Sequence, residues 1–275
     1  MLEPDSKSAG AIAITSLNLK GGVGKTHLCW LIAGVCEERG KRCLVIDLDK
    51  QGNLSTTLLG AGHNPQPGAE SFFDASLDAN VPQLIRKTEL SCIDCIPGSF
   101  ALEKFNVTSP SLWEGTGQEI SLIDPLREIR ANYDYVLLDC PADISLITYA
   151  ALSASDFLMI PLESAHWGAL GTPHVLRAFH HARAKRNPRL SLLGFVASRF
   201  KRGRSYQKEF LGELRSHYGS DAFETMIPDL APFEKSVNDR VPIVLHSPSS
   251  HAATIARRFF DEVESRIKEH RKIRS

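Results

Sequence analysis

The residues best equipped for chemistry lie in Asn18-Leu19-Lys20-Gly21-Gly22-Val23-Gly24-Lys25-Thr26, a glycine-rich run that ends in a cation and a hydroxyl. Ala11 to Leu17 before it reads as a buried strand, and Leu28 to Val35 after it as a helix. A strand, a glycine turn and a helix N-terminus make an anion cradle, because turn N–H groups and the helix dipole converge on one place. In such a cradle Gly21, Gly22, Val23 and Gly24 lie along a phosphate chain. Lys25 reaches the β- and γ-phosphates, and the Thr26 hydroxyl ligates Mg²⁺. The generic spacing G-x-x-x-x-G-K-[ST] fails at its first position, where Leu19 stands.

Phosphoryl transfer also needs a metal site and a positioned water. Asp139 ends the apolar run Tyr135 to Leu138, and Asp47 and Asp49 end Cys43 to Ile46. A carboxylate at a strand's C-terminal end sits where open parallel sheets bind ligands. Asp139 and Asp47 are therefore candidate Mg²⁺ residues. Residues i and i+2 of a strand share a face, so Asp47 and Asp49 either look into one cleft or merely cap the strand.

The elements that must hold these groups follow from the hydrophobic pattern. Strand, helix and strand in succession imply βαβ units and a parallel sheet. The expected fold is α/β: a doubly wound, mostly parallel sheet with helices on both faces. No linker or repeat divides the 275 residues. Residues 11–275 read as a single domain with a C-terminal helix over about 249–270, and residues 1–10 as a disordered tail. Ile120, Ile123, Leu126 and Ile129 recur at helical spacing and predict a helix over 117–131. At 43% hydrophobic and 23% charged residues the composition is that of an ordinary globular domain. No apolar run has the length of a membrane span, and the polar first ten residues lack a signal-peptide core. The six cysteines fall mostly in apolar patterns and read as reduced core thiols.

With these residues in view, Lys20 to Thr26 resembles the deviant Walker A box of the ParA/MinD class of P-loop ATPases. Four further stretches extend the resemblance: Leu44 to Asn53, like a D-x-D-P-Q-G-N box; Tyr133 to Pro141, like Walker B with switch II; Ser155 to Glu163, followed by Ala169 to Gly171; and Phe223 to Pro228. It implies an Mg²⁺-dependent ATP hydrolase in which Lys20 contacts the nucleotide of a partner subunit and Asp49 positions the attacking water. Lys20, Lys25 and Asp49 are the implied catalytic set, and the loop around Pro228 packs on the adenine. It further implies an ATP-dependent homodimer, sequence-independent DNA binding, a ParB-like adaptor that stimulates hydrolysis, and a cytoplasmic, nucleoid-associated location. Four positions depart from the pattern: His27 for a threonine, at a position the resemblance places in the nucleotide site near the α-phosphate, Lys50 for a proline, Ala142-Asp143 for Pro-Ser, and Asp229 for a basic residue.

Net charge is zero but unevenly placed. Between 177 and 208 stand Arg177, Arg183, Lys185, Arg186, Arg189, Arg199, Lys201, Arg202, Arg204 and Lys208 without one acid. Such a stretch suits a polyanion. Arg177, Arg186, Arg199, Lys201, Arg202 and Arg204, with Arg257 from the tail, are the candidate DNA contacts. Rival readings are positioning of a protein cargo on the nucleoid, a MinD-like membrane-associated ATPase, an iron–sulfur ATPase, and an ATP-binding protein without turnover. The membrane reading needs bulky apolar residues in the terminal helix, and Lys268 to Ser275 holds one, Ile273. The iron–sulfur reading has only Cys92, Cys95 and Cys140 to offer.

Overall fold

A computed structural model describes residues 10–74, 80–163, 171–200 and 205–274. The phosphate-loop unit comes first: β1 (Ile12–Ser16), α1 (Lys25–Glu38) and β2 (Cys43–Asp47). Then come α2 (Asn53–Leu59), α3 (Val81–Leu84), β3 (Arg86–Lys87) and β4 (Ile93–Ile96). The centre of the chain is α4 (Ile123–Ile129), β5 (Tyr135–Asp139), α5 (Leu146–Ala154), β6 (Phe157–Glu163) and α6 (Thr172–Lys185). The last part is β7 (Ser191–Phe200), α7 (Ser205–Tyr218), β8 (Ile227–Pro228), α8 (Ala231–Asn238), α9 (Ile243–His246) and α10 (His251–Arg274).

The strands form one sheet in the order β3-β4-β2-β5-β1-β6-β7-β8. Every pairing is parallel except β3 with β4. Parallel strands covered on both faces read as unbroken apolar runs, and the two cores show why. Val136 and Leu138 of β5 pack with α4, α5 and α6, whereas Leu137 packs with α1, α9 and α10. The doubly wound expectation holds. On α10, Phe259, Phe260, Val263 and Ile267 are buried against the sheet. Among the described residues no helix is long and apolar enough to cross a membrane.

Three expectations are corrected. The helix over 117–131 is a 3₁₀ turn, Gln118–Ile120, followed by α4 and a second 3₁₀ turn, Arg130–Asn132. Pro125 explains the break, since a proline deeper than the first turn would lose a hydrogen bond and clash with the carbonyl four residues back. The terminal helix runs four residues further, to Arg274. Between Pro228 and Ser249 the sequence suggested no helix, yet α8 and α9 stand there.

Candidate active site

The strand order brings the C-terminal ends of β1, β2 and β5 side by side, with Ser16 level with Asp139 and Asp47 level with Asp139. Between β1 and α1 the phosphate loop is fixed from within the sheet. Asn18 Nδ2 donates to the Pro161 carbonyl at 2.7 Å, and Asn18 Oδ1 accepts from the Lys20 N–H at 3.1 Å. Gly22 and Gly24 take φ of 76° and 98°, a region that suits glycine. Without side chains there, the helix enters with its first N–H groups bare.

A cavity of about 710 Å³ opens over this loop. It is lined by Gly21, Gly22, Gly24, Lys25 and Thr26 of the loop, with Asp49 and Ala142. It is also lined by Pro228, Leu230, Phe233 and Val237, with the polar Asp229, Glu234 and Asn238 of the same segment, and by Trp30 and Asn53. The glycine loop suits phosphates, and the apolar side chains of the 228–237 segment suit a base. The loop residues, His27 and Pro228 of the sequence reading thus meet in one space. Val23 is wholly buried beneath it. His27 packs edge-on against Phe233, centroids 5.0 Å apart. Burial pushes its imidazole down to about 4, and the nearby Arg199 charge adds to this.

The carboxylates divide the work. Asp139 is 1% exposed, and neither of its oxygens has a hydrogen-bond partner among the described residues. Burial and the facing Asp47 push its carboxyl well up, while the Thr26 hydroxyl and Lys25 ammonium offset part of this. A buried carboxylate without a donor is costly, and a cation ligated by Thr26 and Asp139 would remove that cost. On this ground the residues fit Mg²⁺. Lys25, 7% exposed, has its pKa lowered by burial, and Asp139 and Asp49 oppose that.

Asp47 and Asp49 do not look into one cleft. Asp47 Oδ2 accepts from the Ser55 N–H at 2.8 Å and Oγ at 2.7 Å, and Oδ1 accepts from the Asp49 N–H at 3.1 Å. Burial raises its carboxyl to about 6 despite these donors. Asp47 therefore braces the β2–α2 turn, and only Asp49 lines the cavity. The reason is that β2 ends at Asp47, so strand alternation no longer governs Asp49. Gly98 completes the brace: a Cβ there would stand 2.6 Å from the Asp49 carbonyl and 2.7 Å from the Asp47 carbonyl. Lys50 and Asp143, two of the departures, both bind the segment after β4. Lys50 Nζ lies 2.5 Å from Glu103, and Asp143 accepts from Asn106 Nδ2 at 2.9 Å.

Lys20 turns back onto its own chain, with Nζ 2.8 Å from Glu163 at the end of β6. The basic residues scatter. Arg177 is exposed and hydrogen-bonds His174. Arg186 pairs with the buried Glu119 at 2.7 Å, and Arg257 grips Glu38 at 2.6–3.1 Å. Both guanidiniums face carboxylates of their own chain. Arg199 lies over the phosphate loop. Lys201, Arg202 and Arg204 fall outside the described residues. The sequence reading missed the wall made by α8. Leu230, Phe233 and Val237 at helical spacing, with Pro232 in the first turn, were the available signal. Cys95 and Cys140 are buried in the two apolar cores.

Comparison with known proteins agrees with this geometry. A family model described as an AAA domain matches residues 11–192. The chain is 30% identical over 243 residues to the chromosome partitioning protein ParA of Caulobacter vibrioides, covering 87% of this chain and 89% of that one. It is 30% identical to the chromosome-partitioning ATPase Soj of Thermus thermophilus, covering 93% and 96%. A McdA variant of Cyanothece, solved as an ATP complex, superposes with a TM-score of 0.81 at 18% identity over 94% of this chain and 97% of that one. The phosphate loop, the strand-end aspartates and these likenesses lead to one conclusion: the chain belongs to the ParA/Soj family of partition ATPases and is an ATP hydrolase.

Proposed function

We propose that this chain binds Mg·ATP in the cavity, dimerises around the nucleotide, and then holds DNA without sequence preference until a ParB-like adaptor triggers hydrolysis. The observation that carries the reading is the buried Asp139 carboxylate close to Lys25 and Thr26, which line the cavity together with Asp49. Thr26 and Asp139 would hold Mg²⁺, which when bound screens the phosphate charge. Lys25 neutralises charge on the β- and γ-phosphates, and Asp49 orients the attacking water. Asp47 keeps the Asp49 loop in place. The partition relatives support transport of a DNA molecule.

Lys20 is the proposed link to the second subunit. Its pair with Glu163 is about one-third exposed on each side, so it is worth at most about 1 kcal/mol. The lysine is thus cheaply released to a partner's phosphate. Lys20→Ala should keep its affinity for ATP but remain monomeric with ATP on size-exclusion chromatography. A dimer in the variant would remove Lys20 from this role.

The proposed DNA surface keeps Arg177, Lys201, Arg202 and Arg204. Each phosphate contact adds about 0.9 to the log–log salt slope of binding. Lys201/Arg202/Arg204→Glu should therefore flatten that slope by about 3 and abolish DNA binding at moderate salt, with ATP-dependent dimerisation kept. DNA affinity measured by fluorescence anisotropy with ATP, with ADP and without nucleotide tests the whole reading. Equal affinity in the three states would sink the ATP-switch.

A further inference from the structure

Ser198 and Arg199 are consecutive on β7, and consecutive strand side chains ordinarily leave on opposite faces. Here both reach the phosphate loop. Ser198 Oγ donates to the Val23 carbonyl, and Arg199 Nη1 donates to the Gly22 carbonyl at 2.9 Å. The backbone shows how this comes about. Against β8, Ser198 stands opposite Ile227 and Phe200 opposite Pro228, so Arg199 is one residue too many in the pairing. Its φ is 54°, in the left-handed region.

A residue other than glycine held there costs about 1–3 kcal/mol. Asn or Asp could offset the strain with a local hydrogen bond, which arginine cannot do in the same way. Bulges beside active sites re-aim a side chain, and this one turns a guanidinium onto the glycine turn. A Cβ on Gly22 would lie 3.4 Å from Arg199 Nη1. Arg199 also lines the nucleotide cavity with Lys25 and Thr26. A guanidinium carries five N–H donors in a fork that matches phosphate oxygens.

We propose that Arg199 is a nucleotide-binding residue, which contacts the polyphosphate of ATP or ADP within its own subunit, and is not a DNA contact. This rests on the reading that nucleotide occupies the cavity. It gives the β7 terminus a role as the second wall of the phosphate site, opposite the strand-end aspartates.

The test is a titration of the full chain with a fluorescent mant-ATP, with sodium tripolyphosphate and adenosine as competitors. Wild type should bind, and Lys25→Ala should bind poorly. Arg199→Gln should weaken mant-ATP and tripolyphosphate by about ten- to a hundred-fold, the range of one charge-assisted hydrogen bond. Its affinity for adenosine should stay the same, and Arg199→Lys should recover part of the loss. Arg199→Gly, free of the backbone strain, should melt no lower than wild type without nucleotide, yet lose as much affinity as Arg199→Gln.

No binding by wild type would overturn the nucleotide reading and this inference together. Wild-type binding matched by Arg199→Gln would overturn this inference alone. So would equal loss of adenosine affinity, which would mark the residue as a prop for the loop. Normal nucleotide affinity with lost DNA binding at saturating ATP would return Arg199 to the DNA surface.

Discussion

Asp139→Asn should lower Mg²⁺-dependent ATP hydrolysis by about a thousand-fold, the rate equivalent of the several kcal/mol that a bound metal contributes. The same variant should be the more stable protein without nucleotide. The wild-type carboxyl is buried, faces Asp47, and has the Thr26 hydroxyl near it but no hydrogen bond of normal geometry on either oxygen among the described residues. An asparagine removes the ionisable group. A gain of about 1 kcal/mol would raise Tm by about 2–4 °C in a chain of this size. Stabilisation by Mg·ATP should shrink in the variant, because the ligand that offsets the buried charge has lost its partner.

The pH dependence has a definite sign. A carboxyl whose pKa is raised on folding binds its proton more tightly in the folded state, so stability falls as pH rises. For Asp47 the window runs from the ordinary 3.8 up to about 6, and Asp139, pushed well up, extends it. Urea midpoints of the nucleotide-free wild type should drop as pH rises from about 4 through about 6 and beyond, and the drop should be smaller in Asp139→Asn. A variant with wild-type turnover, or an equal drop, would remove Asp139 from the metal site or from the buried-charge account respectively.

Asp49→Ala should lose hydrolysis by about a hundred- to ten-thousand-fold, the usual worth of a positioned general base, and still bind ATP and DNA. Asp49 lines the cavity, and its Oδ1 accepts from the Gln51 N–H at 2.9 Å, which orients the carboxylate. Asp47→Ala should fail differently. It would strip the acceptor from the Ser55 N–H, the Ser55 hydroxyl and the Asp49 N–H. Unpaired buried donors cost about 1–3 kcal/mol each, so lost stability should accompany lost turnover. Single-turnover ATPase assays with urea unfolding separate the two. Unchanged turnover in Asp49→Ala would place the attacking water under another group.

Much of this arrangement was legible in order along the chain. The Lys20 to Thr26 run, the apolar strands and their terminal aspartates are local patterns. A glycine turn between a buried strand and a helix has few ways to fold, and strands buried on both faces appear as continuous apolar runs. Short elements were less legible. The wall made by α8 occupies eight residues, Ala231–Asn238, too few for periodicity to mark clearly. Pro125 broke a predicted helix, and of its apolar stripe Leu126 and Ile129 are buried while Ile120 is exposed.

By itself, then, the sequence determined the fold class, the phosphate loop and the strand-end carboxylates, because each depends on residues near one another in the chain. Only the tertiary structure decided what each charge faces. It paired Arg186 with Glu119 and Arg257 with Glu38, and it set Lys20 against Glu163, 143 residues away. It turned Asp47 inward to Ser55 while Asp49 stayed in the cavity. It also lifted Arg199 from a basic stretch onto the phosphate loop, through one extra residue at the end of a strand. A charged side chain does through space what its partner and burial permit, and neither is written at its own position in the chain.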